Sequence, residues 1–138
     1  MDISQIDFGN SNTGIDMVLT HPVSGLEIVD KETNEPVSLK VVGAESDVYK
    51  EAQRRITNQK LSKAKGKKDI SFTAEELESF RIQLIAACIR GWSHIGLGEA
   101  KELPYSEQNA KRLLVTAPWI LEQVETFVGD RANFTQKK

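Results

Sequence analysis

Apolar and polar residues alternate early in the chain. Ile15, Met17 and Leu19 are interleaved with Asp16, Val18 and Thr20, the period-two pattern of a half-buried strand. His21-Pro22-Val23-Ser24-Gly25 follows with turn chemistry, because proline pre-sets φ and glycine tolerates positive φ. Leu26 to Val29 reads as a second short strand, Asp30 to Pro36 as a polar turn, and Val37 to Val42 as a third strand. Together they predict a small antiparallel meander with one face in need of cover.

From Ser46 onward the period changes to that of a helix. Ser46 is a candidate N-cap, with Asp47 favourable in the first turn. Val48, Ala52 and Ile56 recur at every fourth position, Tyr49 beside them, which predicts a helix from Asp47 to about Leu61. Thr73-Ala-Glu-Glu76 fits a capping box, and Phe72 and Leu77 hold the positions of a hydrophobic staple. Leu77, Phe80, Leu84, Ile85, Cys88, Ile89 and Trp92 continue the stripe, so the longest helix is expected from Ala74 to about Trp92, at the centre of the core. Ser106 caps a further helix that closes at Thr116 or Ala117. Pro118 opens the last one, which carries Trp119, Ile120, Gln123, Val124, Phe127 and Val128 to a stop at Gly129. The expected class is α+β: a small N-terminal antiparallel β meander followed by about four α-helices in one domain, 1–138. Within it, 1–13 reads as a flexible arm, 14–43 as the meander, 44–134 as the helical part with a basic linker at 60–70, and 135–138 as a tail.

Composition narrows the function classes. The chain has 138 residues, 39% hydrophobic and 28% charged, with a net charge of -2. That describes an ordinary soluble domain with no global field to attract nucleic acid or anionic lipid. No apolar run approaches the roughly 20 residues of a membrane-spanning helix, and the start MDISQIDFGN lacks the apolar core of a secretory signal. The single cysteine, Cys88, fits a reducing compartment.

Candidate chemistry is sparse. Gly96-Leu97-Gly98 is a lone G-x-G without a strand before it or a phosphate-loop lysine. His21 and His94 are far apart, and Cys88 has no C-x-x-C partner, so no metal set converges. His21 reads as a turn residue, His94 as a surface or capping group, and Cys88 as a small core residue. No catalytic residue, cofactor site or metal site is expected. The run Lys60, Lys63, Lys65, Lys67 and Lys68 could meet phosphates, but it has no interleaved aromatic to stack on bases and no arginine for base reading. It reads as a solvated linker.

The last helix carries a wider apolar stripe than one buried face requires: Trp119, Ile120, Leu121, Val124, Phe127 and Val128. Surplus of that kind marks a binding face. Trp119, Leu121, Val124 and Phe127, with Phe134 in the polar tail, are the candidate partner-binding residues.

These pieces, in their order, resemble the tail assembly chaperones of long-tailed, HK97-like bacteriophages. In the first half the resemblance is carried by Leu19-Thr-His-Pro-Val-Ser-Gly25, Pro36-Val-Ser-Leu-Lys-Val-Val-Gly43 and Ala44-Glu-Ser-Asp-Val-Tyr49, with Arg54 and Arg55 after them. In the second half it is carried by Gly91-Trp92, Pro104-Tyr-Ser-Glu-Gln-Asn-Ala110, Leu113-Leu114, Pro118-Trp119, Gln123-Val124 and Asp130-Arg-Ala-Asn-Phe134. The resemblance implies a non-enzymatic protein of the host cytoplasm, absent from the mature virion. It would bind the tape measure protein, keep it soluble and support polymerisation of the tail tube, with the tail tube protein as a second contact and homo-oligomers expected. Two rival readings are a head–tail joining or tail-terminator subunit, and a nucleic-acid-binding regulator that uses the Lys60–Lys68 run.

Overall fold

A computed structural model describes residues 10–64, 71–96 and 102–134. The architecture is α+β: a three-stranded antiparallel sheet carrying helices on one face. The expected arm, 1–13, falls mostly outside the described residues. Its end is not loose, however: Asn10–Thr13 forms one helical turn, α1. There the Asn12 Oδ1 accepts the backbone N–H of Asp47 at 2.9 Å. Gly14, at φ 86°, then swings the chain into β1 (Ile15–Val18).

β1 pairs antiparallel with β2 (Ser38–Val41), Met17 opposite Leu39. The segment between them is a projecting ribbon. Leu26 to Val29, expected as a second short strand, makes only two isolated bridges, Thr20 to Glu27 and Val29 to Pro36. Pro36 has no N–H to extend that ladder, and Leu26 is 72% exposed, so neither hydrogen bonding nor burial lengthens the strand.

The third strand of the sheet comes from elsewhere. The capping box at Thr73 and Glu76 starts α3 as the sequence predicts, with both reciprocal bonds made. The helix (Ala74–Cys88) stops four residues short of Trp92, and Ile89–Ser93 becomes β3. β3 pairs antiparallel with β2, Leu39 opposite Trp92, with a bulge where Val41 meets Ile89. The i, i+3, i+4 pattern could not distinguish these outcomes. Ile89 and Trp92 suit a strand as well as a helix, Gly91 weakens a helix by about 1 kcal/mol, and β2 offers an open edge. Tertiary pairing decides. Phe72 meets Phe80 edge-on at 5.6 Å, while Leu77, its expected staple partner, is half exposed.

α2 (Asp47–Ala64) starts at the Ser46 cap, whose Oγ accepts the Tyr49 N–H at 3.1 Å. It runs past the expected end near Leu61, so the basic linker does not begin at Lys60, and 65–70 lies outside the described residues. α4 (Glu107–Thr116) starts at Ser106, which accepts the Asn109 N–H at 3.0 Å. α5 (Pro118–Gly129) follows after one corner residue, Ala117.

Odd-numbered residues of β1 and β2 face the helices: Met17, Leu39 and Val41 are buried there, joined by Leu19 just past β1. Asp16 and Lys40, on the even face, are exposed. The core is centred on the C-terminal end of α3 and on α4 and α5, where Ile85, Cys88, Leu113, Leu121 and Val124 close against the sheet. Each such buried aliphatic side chain stabilises the fold by about 1.5–3 kcal/mol.

Candidate partner-binding groove

The five residues expected to face a partner divide into two groups. Leu121 (1%), Val124 (0%) and Phe134 (1%) are sealed in the chain's own core, so in this fold they are not surface. Phe134 belongs to a 3-10 turn, Arg131–Phe134, and its ring packs edge-on against Phe127 with centroids 5.5 Å apart. Its neighbour is therefore within the same chain. The turn is invisible in a helical-period search because it follows the stop at Gly129.

Trp119 and Phe127 are half-buried. They border a groove of about 460 Å³ between α5 and β1, which Met17, Val18 and Pro22 complete from the sheet side. Pro118 fixes the first turn of α5 after a non-helical Ala117, φ -126° and ψ 81°. That corner sets Trp119 at the mouth of the groove, and Phe127 follows eight residues, just over two turns, later on the same side.

Gln123 sits between them and binds the sheet. Its Nε2 donates to the Thr20 carbonyl at 2.7 Å, and its Oε1 accepts the Thr20 N–H at 3.1 Å. A side-chain amide thus stands where a neighbouring strand would be. The signal for it was a lone polar residue inside an apolar stripe. Among the described residues, the two charged ones that line the groove, Glu122 and Asp130, are both acidic. On another side of α5, Glu125 holds Arg81 of α3 through two bonds of 2.7 and 2.8 Å. A second recess, about 640 Å³, lies between α3 and α4 beside Ile82 and Val115, and among the described residues its lining holds no aromatic and no strand residue.

The remaining candidates have local structural partners. Lys60 lies over the Phe80 ring at 5.2 Å, and Lys63 lies over Phe72 and pairs with Glu76. Two lysines of the basic run therefore brace α2 against α3. The His21 Nδ1 accepts the N–H groups of Val23 and Ser24 at 3.1 and 3.2 Å, which makes it the turn residue expected. His94 follows β3, not a helix, at φ 64°, with its Nε2 3.0 Å from Glu35. Cys88 is fully buried, and burial pushes its thiol up to about 12. Of the G-x-G stretch, Leu97 and Gly98 lie outside the described residues. Among the described residues, no cluster of His, Cys, Asp and Glu could hold a metal ion, and no helix is long and apolar enough to cross a membrane.

A family model described as YdaY prophage protein matches residues 44–138, more than half of the chain. The chain belongs to the YdaY prophage protein family. It is therefore a phage-derived protein. The part matched to the YdaY family begins just after β2 and holds α2 to α5 with β3. Trp119, Gln123 and Phe127 lie inside it, whereas Met17 and Val18 precede it. No curated protein and no solved structure matches the chain.

Proposed function

We propose that this YdaY-family protein is a non-enzymatic tail assembly chaperone that binds the tape measure protein, keeps it soluble and supports polymerisation of the tail tube. The observation that carries the reading is the open groove in which Trp119 and Phe127 stay half-buried beside β1. Phage origin and the resemblance of the sequence to tail assembly chaperones supply the context. A tape measure chain is long and largely helical, and it exposes apolar stripes until the tube encloses it. A small domain with an apolar groove can shield apolar stretches of such a chain, helical or extended, and many weakly bound copies along one chain act through avidity. The reading expects homo-oligomers, action in the host cytoplasm and absence from the finished virion.

Co-expression with the tape measure protein encoded by the same prophage tests it. Soluble tape measure protein should rise with the wild-type chain and fall back with Trp119→Ala. An unchanged soluble yield with the wild-type chain refutes the reading. Detection of the chain in purified virions at stoichiometric amounts would favour a joining or terminating subunit instead.

A further inference from the structure

We infer that the groove is a strand-addition site: it takes an extended, apolar segment bearing lysine or arginine, which pairs with the outer edge of β1. The inference rests on the chaperone reading only for the source of that segment.

The hydrogen-bonding geometry comes first. β1 is an outer strand of the sheet, with β2 on one side. Leu19 directs its N–H to Val37 and its carbonyl to Ile28, inside the ribbon. Thr20 directs both groups the other way, to Gln123. Backbone direction alternates along an antiparallel strand, so Val18 and Asp16 present their N–H and C=O on the side that Gln123 occupies at Thr20. Among the described residues no hydrogen bond reaches those outward groups. Beside β3, the Tyr105 hydroxyl donates to the Ile89 carbonyl and the Trp92 indole N–H to the Leu103 carbonyl, which ties the segment around Leu103 to Tyr105 to that strand. Among the described residues, the outward backbone groups of β1 at Asp16 and Val18 have no partner, and they lie next to the groove.

The shape agrees. Met17 and Val18 are consecutive and point to opposite faces of the sheet, yet both line the groove. A groove that touches both must run along the strand's edge. Gln123 already pairs with the strand at one end, so an incoming segment would continue a ladder that the side chain begins. Its alternate side chains would lie against Trp119 and Phe127.

Charge selects the occupant. With Glu122 and Asp130 as the charged lining, a basic segment is favoured and an acidic one repelled. The same complementarity argues against β1 of a second copy, whose Ile15-Asp16-Met17-Val18 would bring a further carboxylate.

The test is an NMR titration of the isotope-labelled full chain with a synthetic heptapeptide of alternating lysine and valine. Amide shifts should concentrate at Asp16, Val18 and the Trp119 indole, with slowed exchange at the Asp16 and Val18 amides. Replacing the peptide's lysines with glutamate should weaken binding about tenfold, as two rim charge pairs would. Methylating alternate backbone nitrogens of the peptide should abolish it. Val18→Pro removes an outward N–H at a position where an outer strand tolerates proline, and should lose the peptide while keeping its melting temperature within a few degrees. No binding, equal binding of the methylated peptide, shifts confined to the α3–α4 recess, or a β1-mediated dimer that excludes the peptide would each overturn the inference. If tape measure protein is solubilised equally by Val18→Pro, the chaperone reading stands and the strand-addition site falls. If the peptide binds but co-expression has no effect, the reverse holds.

Discussion

Replacing Phe134 with alanine measures how firmly the C-terminal turn is built into the core. The ring is 1% exposed and meets Phe127 edge-on at 5.5 Å and 83°. Truncating a buried phenylalanine costs about 3–5 kcal/mol, of which the aromatic pair accounts for about 0.5–1.5 kcal/mol. Phe134 closes a short 3-10 turn, which is held by the Asn133 N–H to the Asp130 carbonyl and the Asn133 side chain to the Phe127 carbonyl. Such a turn can partly collapse into the space left, which favours the lower end, about 3 kcal/mol. With a urea dependence of about 1–3 kcal/mol per molar, the unfolding midpoint should fall by roughly 1–3 M. Native stability of about 5–15 kcal/mol leaves the variant folded in water. Equilibrium unfolding, followed by the fluorescence of Trp92 and Trp119 and by far-ultraviolet circular dichroism, gives the shift. Phe134→Leu should recover more than half of it. A midpoint displaced by less than about 0.3 M at unchanged slope would mean that Phe134 is not anchored in the core, and would reopen it as a partner contact.

Trp119→Ala should cost about 1–2 kcal/mol, less than a fully buried aromatic, while soluble tape measure yield in co-expression drops. A loss as large as that of Phe134→Ala, with no effect on solubility, would make Trp119 a core residue only. Gln123→Ala removes two bonds of about 0.5–1.5 kcal/mol each, and hydrogen exchange at the Thr20 amide should accelerate. The Arg81–Glu125 pair is more than a third exposed on both sides, so a double-mutant cycle read by urea unfolding should give a coupling of about 1 kcal/mol or less, smaller in high salt. Cys88 has its thiol raised from 9.0 to about 12 by burial. The unfolded chain therefore ionises first, and the contribution of this group, complete below pH 9, should be lost as pH rises toward 12. Cys88→Ala should flatten that part of the stability profile.

Helix starts were legible because they depend on short-range chemistry. Ser46, Thr73 and Ser106 each cap the helix that the sequence assigns to them, and Pro118 opens α5. What was not legible depends on partners distant in sequence. Ile89 to Ser93 reads as the end of a helix until β2, some fifty residues earlier, is available to pair with it. Leu26 to Val29 reads as a strand although it meets its neighbours only at isolated bridges, Thr20 with Glu27 and Val29 with Pro36. The groove was half visible. Trp119 and Phe127 stood out as surplus, but a helical stripe alone could not separate them from Leu121 and Val124, which face inward. Nor could it reveal that Met17 and Val18 form the opposite wall, or that Phe134 returns to Phe127.

The pairing of β2 with β3 also bears on where this chain can be divided. A fragment starting at Ala44 would retain every long helix together with β3, and would still lack the surface those helices were shaped to meet. Ile89 and Trp92 would lose their ladder, and the greasy flank of α4 and α5 would lie open to water. Such a piece would be expected to clump or to remain molten. Synthesis imposes a matching order: β1 and β2 leave the ribosome with their sheet unfinished, and wait for β3 to complete it.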